Sequence, residues 1–264
     1  MTKFLLTTDL HYSDKPFTGN RFHALSRAKL AKNIQNYAGD CSFMVELGDT
    51  VDAKEGWKEP LELLKDIRME TDRAGIPCYF SFGNHDTASD KRAFAKILGM
   101  KDRYYTFEAG EYLGIMLDAA MNDPEDPYPR EEMEWTHPYV DHEQLGWLEK
   151  TLKESDRPVL IFCHFPLLVD DPGCDFDTPD CNHCIINREE VLSVLENSGK
   201  VKACFYGHLH TGSQVVRKGI PHIAFTAMCL EEDNSCGIVT VDDLQLTVEG
   251  KGRQANMVYK LNQF

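Results

Sequence analysis

Short apolar runs alternate along this chain with longer stretches in which apolar residues recur at helical spacing. The run Cys78-Tyr79-Phe80 is typical of a buried strand, and similar runs predict strands at residues 4–6, 43–45, 159–163 and 203–206. Helical spacing predicts helices at residues 21–37, 60–75, 93–98, 141–152 and 187–199. Strands that alternate with helices in this way are typical of an α/β fold.

Single residues predict where several helices begin and end. Pro60 suits the first position of a helix, where its missing N–H group costs nothing. Asp141 and Asn187 precede apolar stripes, as N-cap residues do. Gly75 and Gly199 follow two of the stripes and suit the C-terminal cap of a helix.

The remaining regions are strands and irregular segments. Residues 104–107 and 113–117 predict two joined strands, and the chain after Val215 predicts successive strands with turns at Lys218-Gly219, Asp242-Asp243 and Gly250-Lys251-Gly252. Residues 118–138 are rich in proline and acidic side chains and predict a long surface loop. Such a loop is either a solvated connector or part of a substrate-binding rim.

Composition narrows the possible classes of protein. The length of 264 residues suits a single domain that covers residues 1–264. The net charge of −15 argues against a nucleic-acid polymer as partner, because such polymers bind through many lysines and arginines. No apolar run approaches the ~20 residues that span a membrane, so no membrane partner is expected. Nine cysteines, several of them in apolar strands, predict reduced thiols and a cytoplasmic location.

Polar residues that can bind metals follow five of the predicted strands. They are Asp9 and His11, Asp49, Asn84, His164, and His208 with His210. A lone histidine at a strand end is usually structural, but five strand ends with oxygen and imidazole donors predict one shared site. The carboxyl ends of strands in α/β sheets are where ligands bind.

The complete set of motifs resembles the calcineurin-like metallophosphoesterases. It comprises Asp9-x-His11, Gly48-Asp49-x-x-Asp52, Gly83-Asn84-His85-Asp86, the strand end at His164, and Gly207-His208-x-His210. The resemblance implies a four-layer α/β/β/α sandwich with a dinuclear metal site at the carboxyl ends of its strands. It also implies an enzyme that hydrolyses phosphate esters.

The resemblance implies a role for each motif residue. Asp9, His11 and His210 would bind one divalent ion, Asn84, His164 and His208 would bind the other, and Asp49 would bridge the two. Mixed oxygen and imidazole ligands suit manganese, iron or zinc. His85 would be catalytic, either stabilising the transition state or protonating the leaving oxygen.

Softer signals resemble the manganese-dependent ADP-ribose/CDP-alcohol diphosphatases within this family. They include Arg21, the segment from Cys184 to Leu192, and Gly250-Lys251-Gly252-Arg253. The expected substrate is therefore a small phosphorylated compound of nucleotide type, with a phosphodiester or pyrophosphate bond. The alternatives are a cyclic-nucleotide phosphodiesterase, a general phosphatase, and a metal-binding scaffold without activity.

Other residues have less certain roles. His222 is a candidate substrate contact, and Asp52 is expected to orient a metal ligand. Asp86 is expected to cap the turn that follows it. Cys174, Cys181 and Cys184 lie in one loop that could bind an extra metal, although a second well-spaced cysteine pair is missing. The sequence leaves the oligomeric state open.

Overall fold

Two mixed sheets of six strands form the frame of the protein. The computed structural model describes residues 1–15, 17–52, 58–121, 125–128, 137–170 and 183–261. The strands are β1 (Thr2–Thr7), β2 (Phe43–Glu46), β3 (Cys78–Phe80), β4 (Tyr105–Ala109), β5 (Tyr112–Met116), β6 (Val159–Cys163), β7 (Val201–Tyr206), β8 (Thr211–Arg217), β9 (Ile220–Thr226), β10 (Ser235–Val241), β11 (Gln245–Gly252) and β12 (Met257–Lys260). The α-helices are α1 (Ser26–Tyr37), α2 (Pro60–Asp72), α3 (Lys91–Leu98), α4 (His142–Glu154) and α5 (Arg188–Ser198).

The order of strands places the predicted motifs at common sheet edges. The first sheet has the order β12-β11-β10-β1-β2-β3, in which β1, β2 and β3 are parallel. The second has the order β4-β5-β6-β7-β9-β8, in which β5, β6, β7 and β9 are parallel. Because parallel neighbours end at the same edge, the segments that follow β1, β2 and β3 emerge together, as do those that follow β6 and β7.

An aromatic core joins the two sheets. Phe4 stacks on Phe43 with ring centroids 4.8 Å apart, and its ring edge meets Phe205 of the other sheet at 5.5 Å. Phe205 in turn stacks on Phe162 at 5.1 Å. Alternate side chains of a strand point to opposite faces. Leu5 therefore packs with the helices, in the same buried cluster as Leu30.

The helices cover the outer faces of the sheets. Helices α1, α2 and α3 pack side by side, and α4 packs against α5. Buried leucines of these helices lie in one apolar cluster with outward-facing strand residues such as Ile161 and Cys204. This arrangement confirms the predicted four-layer α/β/β/α sandwich.

Most predicted helix ends are confirmed, but α2 ends at Asp72 with Arg73 as its C-terminal cap, so the prediction for Gly75 was wrong. Pro60 is the first residue of α2, the Asp141 carboxylate accepts a hydrogen bond from the Gln144 N–H group, and Gly199 ends α5 at φ +65°. The side chain of Asn187 does not cap α5. It exchanges two hydrogen bonds with the backbone of Val140 instead, at 3.1 and 2.8 Å.

Three further segments differ from expectation or lie outside the described ranges. The stretch from Gly250 to Gly252 lies within β11 rather than in a turn. Cys174 and Cys181 are outside the described residues, as are most of residues 122–136. No disulfide joins cysteines of the described ranges. No helix in those ranges is both long enough and apolar enough to cross a membrane.

Candidate metal centre and active site

The predicted ligands are presented on strained backbone. Asp9, His11, Asp49 and His208 have φ values of 52°, 43°, 52° and 64°, in the left-handed region that residues with a side chain rarely adopt. Such conformations cost of order 1–3 kcal/mol each and occur where the surrounding structure requires them. Here they turn each side chain sharply at the end of its strand.

Backbone hydrogen bonds lock these turns together. The His11 N–H group donates to the Asp49 carbonyl at 2.8 Å, and the Asp9 N–H group donates to the Gly48 carbonyl at 3.1 Å. Gly83 is required by close approach, because a Cβ atom there would lie 2.2 Å from Oδ1 of Asp49. Gly207 is required for the same reason, since its Cβ atom would lie 2.0 Å from Oγ1 of Thr8.

One cluster of donor atoms contains Asp9, His11, Asp49 and His210, whose ligand atoms all lie within 4.8 Å of one another. Nε2 of His210 lies 3.3 Å from Oδ1 of Asp9 and 3.1 Å from Nε2 of His11. Nε2 of His11 lies 3.4 Å from Oδ2 of Asp49. Two carboxylates and two imidazoles at these distances can bind one divalent ion.

A second cluster contains Asp49, His164 and His208. Nε2 of His164 lies 3.4 Å from Oδ2 of Asp49, and the rings of His164 and His208 are 5.2 Å apart. The backbone that carries Asn84 lies close to Asp49, since the N–H group of the next residue, His85, donates to Oδ1 of Asp49 at 2.8 Å. Asp49 belongs to both clusters, which is the arrangement that a bridging carboxylate requires.

Unpaired buried atoms test whether these residues suit metal ions. Oδ1 of Asn84 and Nε2 of His208 are buried without a hydrogen-bond partner among the described residues. Buried polar atoms normally have partners, and leaving one unpaired is costly. Oxygen and imidazole donors are the ligand types of manganese, iron and zinc. The residues therefore fit bound divalent ions.

Neighbouring groups fix which ring nitrogen of each histidine faces the centre. Nδ1 of His164 donates a hydrogen bond to the Leu47 carbonyl at 2.7 Å, which leaves Nε2 directed at the centre. Nδ1 of His11 lies 3.3 Å from Oδ1 of Asp52. The geometry agrees with the expected orienting role of Asp52.

The charges of the centre are strongly interdependent. Burial opposes ionisation of Asp9, but hydrogen bonds with His11 and His210 outweigh it and hold the pKa of Asp9 well below 3.8. Burial also opposes protonation of His11, but hydrogen bonds with Asp52 and Asp9 raise its pKa to about 9. Burial likewise opposes protonation of His164, but the charge of Asp49 raises the pKa of His164 to about 10. Without ions, protons on these imidazoles balance the carboxylates.

His85 is at the mouth of the centre. Its side chain is 12% exposed, its ring is 4.3 Å from that of His11, and its Nδ1 atom is 2.7 Å from Oδ1 of Asp52. It lies outside both clusters that contain Asp49. His85 is therefore placed to meet a substrate while a carboxylate holds its ring.

Asp86 corrects an expectation from the sequence. Its carboxylate does not cap the following turn. It accepts hydrogen bonds from the N–H groups of Gly83 and Asp49, both at 2.9 Å, and of Thr50 at 3.0 Å. Burial, followed by the charge of Asp49, raises the pKa of Asp86 to about 7. Asp86 thus joins the loop of Asp49 to the loop that carries Asn84, a role that spacing alone could not reveal.

His222 is a second correction. The side chain is 1% exposed, and Nδ1 lies 2.8 Å from the hydroxyl group of Tyr206. Burial lowers the pKa of His222 to about 4. The residue supports β7 from within the sandwich and offers no surface to a substrate.

Arg21 and Cys229 line the centre on the side of His210. Cys229 was not singled out from the sequence. Its sulfur lies within 4.8 Å of the ligand atoms of His11 and His210. Its N–H group donates to the Asp9 carbonyl at 3.0 Å. Arg21 pairs with Leu230 through a β-bridge. Burial is the main cause that lowers the pKa of His210, and the charges of His11 and Arg21 add to it.

Comparisons with known proteins agree with this geometry. Residues 2–212 match the calcineurin-like phosphoesterase family. A manganese-dependent ADP-ribose/CDP-alcohol diphosphatase of Oryza sativa is 26% identical, in an alignment that covers 96% of this chain and 92% of that relative. A 3',5'-cyclic-nucleotide phosphodiesterase of Nostoc is 26% identical over 76% of this chain and 67% of its own.

Among solved structures, a dimetal phosphatase from Danio rerio has a TM-score of 0.81 and covers 99% of both chains at 20% identity, which shows a shared fold. The family match covers four-fifths of the chain, from the start of β1 to the start of β8. The predicted ligands all lie within it. The chain therefore belongs to the calcineurin-like phosphoesterase family and is a metal-dependent phosphohydrolase.

Proposed function

We propose that this protein uses two divalent ions to hydrolyse phosphodiester or pyrophosphate bonds in small nucleotide-type substrates. The observation that carries the proposal is the position of Asp49, whose carboxylate belongs to both clusters of donor atoms. Residues 1–264 would form a single domain. The distribution of cysteines through buried strands supports a cytoplasmic location.

Each ion would have its own set of ligands. Asp9, His11 and His210 would bind one ion, Asn84, His164 and His208 would bind the second, and Asp49 would contribute to both. Manganese, iron and zinc all suit these donors, and manganese is favoured by the names of two relatives. Bound divalent ions supply Lewis acidity toward phosphate oxygens and lower the pKa of water at the site.

His85 would act on the leaving group. Its ring is partly exposed and is held by Asp52, so that one nitrogen remains directed away from the carboxylate. A protonated imidazole can donate to the oxygen that leaves phosphorus, and Asp52 would hold the ring in position for this step. Asp52 would thus act through His85 rather than on the substrate.

The charge of the occupied centre would favour an anionic substrate in an acidic protein. The two carboxylates of Asp9 and Asp49 carry less charge than two divalent ions, which leaves the site positive. Arg21 adds a further positive charge on the side of His210. A phosphate group would therefore be attracted despite the net charge of −15.

An exposed aromatic pair supports a nucleotide as substrate. Phe17 is 59% exposed, and its ring is 6.1 Å from that of Phe22. The Phe22 N–H group donates to the carbonyl of Cys229 at 2.7 Å, which ties this pair to the wall of the centre. Stacking on an aromatic face contributes ~1–3 kcal/mol per base.

The aromatic residues of the 118–138 segment are less suited to this role. Tyr128 lies under the guanidinium group of Arg92 at 3.8 Å, and Trp135 is outside the described residues. The names of the Oryza and Nostoc relatives support the two candidate activities, namely hydrolysis of nucleoside-diphosphate conjugates and of cyclic nucleotides. The first is favoured, because that relative aligns with nearly all of the chain.

A substrate panel tests the proposal. The manganese-loaded protein would be assayed with ADP-ribose, CDP-choline, cyclic AMP and p-nitrophenyl phosphate. We expect kcat/KM to be highest for one of the first two, and Phe17→Ala to raise KM for nucleotides but not for bis(p-nitrophenyl) phosphate. Leu244→Ala, at a 62% exposed site on the β10–β11 turn, is the matched control. A preference for the simple monoester, unchanged by Phe17→Ala, would refute the proposed substrate class.

A further inference from the structure

A half-buried histidine lies beside the second cluster of ligands. The ring of His183 is 5.8 Å from that of His208. His208 itself is a predicted ligand whose Nε2 atom has no hydrogen-bond partner among the described residues. His183 therefore borders the position at which a substrate would approach the Asp49–His164–His208 cluster.

The backbone holds this histidine in place. Ile185 donates its N–H group to the Pro166 carbonyl at 3.0 Å, two residues beyond His164. Ile186 donates to the Pro138 carbonyl at 2.9 Å. Cys184 and Ile185 are fully buried, at 0% exposure. The segment that carries His183 is thus anchored to the strand end that carries a metal ligand.

Two simpler roles fit the geometry poorly. Cys184 is buried whereas its neighbour His183 is half-buried, so their side chains point in different directions and do not form one metal site. His183 also does not belong to any described group of histidine, cysteine and carboxylate side chains whose ligand atoms lie within 4.8 Å of one another.

We propose that His183 is a substrate-binding residue that donates a ring N–H group to a phosphate oxygen held over the Asp49–His164–His208 cluster. An imidazole carries at least one N–H group in either protonation state, which is sufficient for this bond. His85 stands beside His11, at the first cluster, and His183 stands beside His208, at the second. The two imidazoles would contact the substrate from opposite sides. This inference rests on the proposed function.

The test uses two substitutions of similar size. His183→Gln keeps an N–H donor at comparable reach, whereas His183→Leu removes it. The manganese-loaded proteins would be compared by the Kd for inorganic phosphate from calorimetry, by manganese content, and by KM and kcat for ADP-ribose. His142→Ala, at the exposed first residue of α4, is the control.

We expect His183→Leu to weaken phosphate binding and raise KM by about 10- to 100-fold, with normal manganese content, because a hydrogen bond to a charged acceptor is lost. His183→Gln should recover most of this loss. Unchanged phosphate binding in His183→Leu would overturn the proposal, and so would a loss of manganese, which would make the residue a ligand. If the wild type binds phosphate but hydrolyses no nucleotide, the proposed function fails, while the phosphate comparison still tests His183.

Discussion

The carboxylate of Asp52 lies 2.7 Å from Nδ1 of His85. The same oxygen, Oδ1, lies 3.3 Å from Nδ1 of the candidate ligand His11. Asp52 therefore orients both an imidazole that would bind metal and an imidazole that would act on the leaving group. Burial opposes its ionisation, but its hydrogen bonds with His11 and His85 lower the pKa of Asp52 below its ordinary value.

Replacing Asp52 with Asn should therefore impair catalysis more than metal binding. The amide offers one neutral acceptor oxygen in place of the anionic oxygens of the carboxylate, so it holds the ring of His85 less firmly. We expect kcat to fall about 10- to 100-fold, within the range for a group that supports general acid catalysis, and manganese content to fall only slightly. Asp72→Asn, which removes an exposed partner of Arg68, is the control. Equal kcat values for Asp52→Asn and the wild type would show that the contact has no catalytic role.

His85→Ala should reveal whether this residue protonates the leaving group. We expect near-normal manganese content and a fall in kcat of ~10²–10⁴ for a nucleotide substrate. The loss should be much smaller for bis(p-nitrophenyl) phosphate, because nitrophenolate leaves without a proton. An equal loss for both substrates would indicate that His85 stabilises charge in the transition state instead.

Metal binding should release protons and strengthen as pH rises. The raised pKa values of His11 and His164, about 9 and about 10, mean that both rings are protonated at pH 7 when no ion is bound. Their contribution to the stability of the metal-free protein is complete below pH 6.5 and is lost as pH rises through these values. Each ring must lose its proton before it can bind an ion.

Calorimetric titration with manganese at pH 7, in buffers of different ionisation enthalpy, measures this release. We expect about two protons per chain, and an affinity that increases between pH 6 and pH 9. Affinity that is independent of pH over this range would mean that the two imidazoles are not ligands. Substitution of His142, an exposed histidine on α4, should leave the proton count unchanged.

The sequence was sufficient to predict the frame of the fold and the residues at the strand ends, because both depend on local patterns. Apolar runs followed by Asp9, Asp49 or His164 mark where strands stop, and the strand order then brings those ends together. The role of Asp86 was not predictable in the same way. Its hydrogen-bond partners Asp49 and Thr50 are 37 and 36 residues away, and only the folded chain brings them close.

Burial explains the other differences. His222 resembled a site residue because it lies near the glycine-histidine motif in sequence, yet alternation along β9 directs it toward Tyr206 inside the sandwich. Asn187 resembled a helix cap, but its side chain exchanges two hydrogen bonds with the backbone of Val140 instead. Asp118 resembled the first residue of a solvated loop and is instead 0% exposed.

The buried pair formed by Lys91 and Asp118 gives a prediction for stability. Nζ of Lys91 lies 2.5 Å from Oδ2 of Asp118 and also donates to the carbonyls of Ala120 and Pro127. Lys91→Met leaves the Asp118 carboxylate with the longer contact to Arg103, 3.6 Å from Oδ2, so it should lower the free energy of unfolding by up to about 3–5 kcal/mol. Urea denaturation of the metal-free protein measures this change.

A double variant separates the pair from the rest of the core. Lys91→Met combined with Asp118→Leu should be more stable than Lys91→Met alone, because no charge then remains buried without a partner. The exposed ion pair between Lys150 and Glu154 provides the comparison, since breaking it should cost less than about 1 kcal/mol. A cost for Lys91→Met in that small range would show that water or another group compensates Asp118.

The central claim is that two divalent ions sharing Asp49 are required for hydrolysis, and the number of manganese ions at which activity appears tests it most directly. Protein stripped with a chelator would be titrated with manganese while bound metal and hydrolysis of bis(p-nitrophenyl) phosphate are measured together. We expect activity to follow the second ion, and Asp49→Asn to bind fewer than two ions and to be inactive, because its amide offers only one neutral acceptor oxygen. Full activity with one ion per chain, or two tightly bound ions in Asp49→Asn, would contradict the account.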